Sequence, residues 1–93
     1  MIFWGDIMDV NLELYKIFYY VVKAGSISRA SQDLYISQPA VSQAIKKLES
    51  RLGGQLFTRV PKGIVLTPEG EVLFKYIEHG YNMIMLAESK FVE

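Results

Sequence analysis

The chain has 93 residues, of which 51% are hydrophobic, with one histidine and no cysteine. That length makes one small domain with a modest core, and the missing cysteine excludes disulfides and a Cys-based zinc site. Ten basic and ten acidic residues cancel to a net charge of zero, so any nucleic-acid partner must be sought in the distribution of charge and not in its sum.

Residues 1–9 read as an N-terminal extension open to disorder. Met1 to Met8 is apolar but lacks a basic start and a long apolar stretch, so it makes a poor signal peptide. No run in the chain approaches the roughly 20 apolar residues that a membrane span needs. The first helix is expected from about Asn11 to Lys23. Asn11 suits an N-cap, Glu13 suits the first turn and Gly25 follows the end. Its apolar stripe is Leu14, Phe18, Val21 and Val22, widened by Tyr15 and Tyr19.

The second helix starts after Ser26 and stops near Leu34, with Ile27, Ala30 and Leu34 toward the core. Ala30 is small enough to let two helices cross closely. Tyr35-Ile36 breaks the pattern, and a third helix follows Ser37. Pro39 falls in its first turn, where a missing N–H removes no helical bond. Val41, Ile45, Leu48 and Leu52 recur at i, i+4, i+7 and i+11, one buried face, and Gly53 ends the helix. Two helices joined so tightly, the second with a polar front, read as a helix-turn-helix at about 27–46, with its recognition helix at 37–52.

Leu56 to Val60 and Ile64 to Leu66 are short β-prone runs around Pro61-Lys62-Gly63, a hairpin at 56–66. A hairpin directly after a recognition helix is a wing. Thr67-Pro68-Glu69 then starts a fourth helix with a cap, a proline and an acid in order. In it Leu73, Ile77, Gly80, Ile84, Ala87 and Phe91 are spaced 4-3-4-3-4, a coiled-coil seam that points to dimerisation. The bland alternative is packing on the chain's own first helix. The fold expected is mainly α: a winged helix-turn-helix over 10–67, with a three-helix core and two-stranded wing, and a long dimerisation helix over 68–93.

The charge separates along these elements. Residues 23–62 hold seven cations against two acids, while the segments on either side are net acidic. The basic charge therefore coincides with the helix-turn-helix and wing. On the third helix, the face opposite the stripe carries Gln38, Pro39, Ser42, Gln43, Lys46 and Lys47. Glutamine can bond N6 and N7 of adenine together, serine donates or accepts, and proline or Ala40 can touch a thymine methyl. Arg29, Lys46, Lys47, Arg51, Arg59 and Lys62 suit phosphates, which position without specifying. Ser37 is a cap first and a candidate backbone contact second. Arg59 is open to two readings, a pair with Glu49 or a contact to DNA.

Ala30, Leu34, Ser37-Gln38-Pro39-Ala40-Val41-Ser42, Ile45, Leu48-Glu49, Leu52-Gly53, Leu56-Phe57, Arg59 and Leu66-Thr67-Pro68-Glu69-Gly70 together resemble the N-terminal DNA-binding domain of LysR-type transcriptional regulators. Ile27 stands where that family mostly has Phe, Ser31 where it mostly has Ala, and Gly54 where a β-branched residue is usual. Gln43 stands where Arg is frequent, which moves the expected preference from guanine to adenine. The resemblance implies double-stranded DNA as partner, with the residues matching Gln38, Pro39, Ser42 and Gln43 at base edges and the wing in or near the minor groove. It implies a homodimer whose linker helices pair antiparallel; the two-fold axis of such a dimer calls for inverted half-sites in the DNA. The absence of cysteine suits a reducing cytoplasm, and a cytoplasmic protein is expected. Such regulators usually continue into an effector-sensing domain; this chain stops where that domain would begin, so it is expected to be an excised or short form without an effector site.

An enzyme is not expected. His79 has no cysteine or clustered carboxylate near it in sequence, and no phosphate loop or nucleophile motif occurs, so neither a catalytic residue, a metal nor a cofactor is assigned. The tyrosines and phenylalanines sit mostly at core spacing and read as packing. The competing function is a winged-helix protein–protein module without specific DNA readout.

Overall fold

The computed structural model describes residues 10–92. The expected extension at 1–9 lies outside them. In chain order the elements are α1 (Leu12–Ala24), α2 (Ile27–Leu34), α3 (Gln38–Leu52), β1 (Phe57–Val60), β2 (Gly63–Leu66) and α4 (Pro68–Ser89). Each helix begins at a side chain that satisfies a backbone donor. Asn11 Oδ1 accepts from Glu13 N–H at 3.0 Å, Ser26 Oγ from Arg29 N–H at 3.0 Å, Ser37 Oγ from Ala40 N–H at 3.2 Å and Thr67 Oγ1 from Gly70 N–H at 3.0 Å. Each such cap contributes about 1 kcal/mol.

The left-handed residue after α3 is Gly53, at φ 77°. After α2 it is Tyr35, at φ 58°, a conformation that a residue with a Cβ adopts at a cost of about 1 kcal/mol. Its N–H still reaches the Gln32 and Ser31 carbonyls and closes the helix.

The core lies where α1, α2 and α3 meet, around Phe18, Val21, Ala30, Val41, Ala44, Ile45 and Leu48. The expected stripe of α1 is shifted: Ile17 is buried with Phe18 and Val21, while Leu14 and Val22 are only partly covered. The reason is that α1 is packed from several sides, by α2, α3 and α4. In α2, Ala30 is fully buried and Ile27 and Leu34 flank the core. Buried Ser31 keeps its hydroxyl satisfied by donating to Ser28 O at 2.8 Å. In α3, Ala44 takes a buried place that the stripe did not include, and Leu52, at the last turn, stays 40% exposed.

The wing pairs antiparallel in the register Phe57↔Leu66, Thr58↔Val65, Arg59↔Ile64 and Val60↔Gly63. Leu56, expected to open the first strand, is instead buried below it. Its N–H donates to Glu49 Oε2 at 2.8 Å and its carbonyl accepts from Thr67 N–H at 3.0 Å. The wing is thereby tied to α3 at one side and to the start of α4 at the other. Gly70 sits against this tie: a Cβ there would overlap Leu56 O and lie 2.8 Å from Leu66 Cδ2.

As far as Tyr81, α4 packs on α1 through rings. Phe74 stacks on Tyr19 with centroids 5.7 Å apart, and Tyr81 meets Tyr19 at 5.0 Å. Lys23 Nζ pairs with Glu78 at 3.3 Å and lies 5.7 Å from the Tyr19 centroid. Beyond Gly80 every described residue of α4 is exposed. The helix ends at Ser89, so Phe91, expected within it, stands in the turn that follows.

Candidate nucleic-acid interface

Burying Val41, Ala44, Ile45 and Leu48 turns the opposite side of α3 to solvent. At 100° per residue, Pro39, Gln43 and Lys46 form the ridge farthest from the buried stripe, and all three are exposed. Gln38 and Ser42 occupy one flank and Lys47 the other; Ser42 is half-buried. The front is thus a helix surface of amides, hydroxyls and two ammonium groups, with proline at its leading edge. Ser50, which sequence reasoning passed over, continues the same ridge and is exposed. Its signal was the spacing from Gln43 and Lys46.

Ser37 uses its hydroxyl oxygen as the cap of α3. Gln38 is held from outside the helix: its Nε2 donates to Ser28 Oγ, on the first turn of α2, at 3.4 Å. No spacing in the sequence announces that contact. Arg29 is exposed next to Ser28, but it lines a cleft with Tyr20, Lys23, Asp33 and Tyr81 on the α1 and α4 side of α2. Arg51 lies in the last turn of α3, off the front ridge, where a cation complements the helix dipole.

On the wing, Arg59 is exposed in β1 and Lys62 in the turn between the strands. The Glu49 carboxylate is engaged by Leu56 N–H and forms no ion pair with Arg59 among the described residues. The pairing alternative for Arg59 therefore falls away in this structure. Lys46, Lys47, Arg59 and Lys62 make no ion pair among the described residues, so these four side chains present uncompensated positive charge. His79 is exposed on α4, and no group of three His, Cys, Asp or Glu side chains that could hold a metal occurs among the described residues. No helix among them is long and apolar enough to cross a membrane.

The α4 seam divides in two. Leu73 and Ile77 are partly buried against the chain's own core, as the bland alternative had it. Gly80, Ile84 and Ala87 continue the line and are exposed. Between α1 and α4 runs an apolar groove of about 570 Å³, with Leu12, Tyr15, Tyr76, Ile77 and Ile84 among its lining residues.

The comparisons with known proteins agree with this architecture. The sequence model of the bacterial regulatory helix-turn-helix proteins of the lysR family matches residues 12–71. The chain is 36% identical over 77 residues to the HTH-type transcriptional activator AmpR of Rhodobacter capsulatus, covering 83% of this chain and 27% of that protein. It is 41% identical over 83 residues to the HTH-type transcriptional regulator HdfR of Yersinia pestis (strain Pestoides F), covering 89% of this chain and 28% of that one. The chain thus spans about a quarter of the length of the curated relatives it matches. Among solved structures, the BenM DNA-binding domain in complex with benA site 1 DNA superposes with a TM-score of 0.78 at 30% identity, covering 90% of this chain and all of that one. Full-length LysG from Corynebacterium glutamicum superposes with a TM-score of 0.80 at 28% identity, covering 87% of this chain and 28% of that one. With a family match over residues 12–71 and four helices and a wing that follow the same fold, the chain belongs to the LysR family of bacterial regulatory helix-turn-helix proteins.

Proposed function

We propose that this chain binds double-stranded DNA in a sequence-specific manner as the DNA-binding part of a LysR-type transcriptional regulator. The observation that carries the reading is the exposed front of α3, where amide, hydroxyl and ammonium groups stand opposite a fully apolar buried stripe. A helix so faced matches the major groove in width and chemistry. Gln38, Pro39, Ser42 and Gln43 take the base edges. Lys46, Lys47, Arg51 and Ser37 take phosphates beside them, and Arg29 takes one at the start of α2. Arg59 and Lys62 bring the wing to the backbone or minor groove. Support comes from the BenM complex with DNA, to which this chain is similar. The reading involves no catalytic step, no metal and no cofactor, and a cytoplasmic protein.

In this reading residues 10–67 form the DNA-binding unit, and residues 68–93, which include α4, the segment that pairs two copies. The pairing is supported by the outer half of α4, where Met83, Ile84, Met85 and Leu86 are all at least half exposed. Exposed apolar side chains gathered at one end of a helix in this way mark an interaction site. Two copies related by a two-fold axis require inverted half-sites.

Fluorescence-anisotropy titration at two salt concentrations tests this function, with a random duplex and with the site returned by selection from a random pool. Affinity should fall steeply with salt, because phosphate contacts release counterions, and the selected site should bind at least about a thousandfold more tightly than random duplex. Equal affinity for both duplexes would leave only a nonspecific binder. Binding to neither would favour the protein–protein module.

A further inference from the structure

The hydrogen bond between Gln38 and Ser28 joins the leading edge of α3 to the first turn of α2, across ten residues of sequence. Both side chains are exposed, so this bond is not needed to satisfy a buried group. We infer that Ser28 is a positioning residue for base readout: it holds the Gln38 amide in the orientation that reads adenine and passes the register of the DNA backbone to it. The inference rests on the reading of Gln38 as a base contact.

The atoms allow both roles at once. A glutamine amide has two N–H donors and one carbonyl acceptor. One Nε2–H is given to Ser28 Oγ. The other remains for adenine N7, and Oε1 remains to accept from N6, which is the paired contact that discriminates adenine. Ser28 Oγ accepts from Gln38, so its own proton is left to donate to a phosphate oxygen, a frequent partner for serine. Ser28 is itself anchored. Its carbonyl accepts from the hydroxyl of buried Ser31 at 2.8 Å, and Ser26 caps the same turn through Arg29 N–H at 3.0 Å. A free glutamine side chain samples many rotamers, and ordering it on DNA opposes binding. A partner already in place on α2 reduces that loss, so the bond sharpens preference and not merely affinity.

The test uses the full chain and two duplexes, the selected site and the same site with the adenine facing Gln38 changed to guanine. Wild type, Ser28→Ala, Gln38→Ala and the double variant are titrated against both. Ser28→Ala should reduce the preference for adenine by about three- to fivefold, the worth of one exposed neutral hydrogen bond. Gln38→Ala should abolish the preference, and Ser28→Ala should then have no further effect on it. Ser28→Thr, which keeps the hydroxyl, should restore it. If Ser28→Ala weakens both duplexes equally, the serine contacts phosphate alone and the inference is overturned. Unchanged preference in Ser28→Ala overturns it as well, while leaving Gln38 in the readout. Unchanged preference in Gln38→Ala overturns the underlying base contact and the inference with it.

Discussion

Replacing Gly70 by alanine should destabilise the domain, although alanine is the better helix former. The added Cβ overlaps Leu56 O and lies 2.8 Å from Leu66 Cδ2. The leucine side chain can rotate away; the carbonyl cannot easily. It accepts from Thr67 N–H at 3.0 Å, and the same residue's N–H is held by Glu49 at 2.8 Å. Relief therefore means moving the base of the wing or tilting α4 off it. Overpacking of this kind costs about 1–3 kcal/mol. Alanine's helix propensity returns at most about 1 kcal/mol in a helix interior, and less here, in the first turn. A net loss of about 1–2 kcal/mol corresponds to a fall in Tm of roughly 5–15 °C for a domain of this size. Gly80 in the same helix has nothing within 4 Å of a built Cβ, so Gly80→Ala should raise Tm. Thermal denaturation followed by circular dichroism reads both, at one low protein concentration because association shifts Tm. A Gly70→Ala protein as stable as wild type would refute the claim that the Leu56 carbonyl is costly to displace.

Ile84→Asp should yield monomers in sedimentation velocity with an unchanged winged domain, since Ile84 is 58% exposed and Ile77, by contrast, packs on the chain's own core; wild type already monomeric at high concentration would remove the pairing role of α4. Gln43→Arg should move one position of the selected site from A·T toward G·C, worth about 1–3 kcal/mol of discrimination; identical selected sites for both proteins would return Gln43 to ordinary surface. Tyr35→Asn should stabilise the fold by up to about 1 kcal/mol, because asparagine tolerates the left-handed conformation that Tyr35 holds at φ 58° while 94% exposed; a lower urea midpoint would mean that the exposed ring stabilises the turn in some other way.

The helix starts were legible in the sequence because capping is local. Asn11, Ser26, Ser37 and Thr67 each bond a backbone N–H two or three residues on, and no tertiary contact is needed to decide it. The buried stripe of α3 was legible for the same kind of reason, since a helical period fixes which side chains share a face. The hairpin was announced by Pro61-Lys62-Gly63, whose turn chemistry is also local. What depends on neighbouring elements was not legible. Leu52 lies on the stripe of α3 yet stays 40% exposed at its end, and Ala44 is buried instead, because coverage depends on where α1 and α2 cross it. Leu56 reads as strand by propensity, but the Glu49 carboxylate and the Thr67 N–H draw its backbone into the core. The seam of α4 is one continuous pattern in sequence; only the docking of α1 assigns Leu73 and Ile77 to the chain itself and leaves Ile84 and Ala87 open. Ser28 meets Gln38 only because α2 and α3 are folded onto one another across the turn at Tyr35. Periodicity determines which side of a helix is apolar; the crossing of helices decides how much of that side is covered and which polar groups on the other side touch.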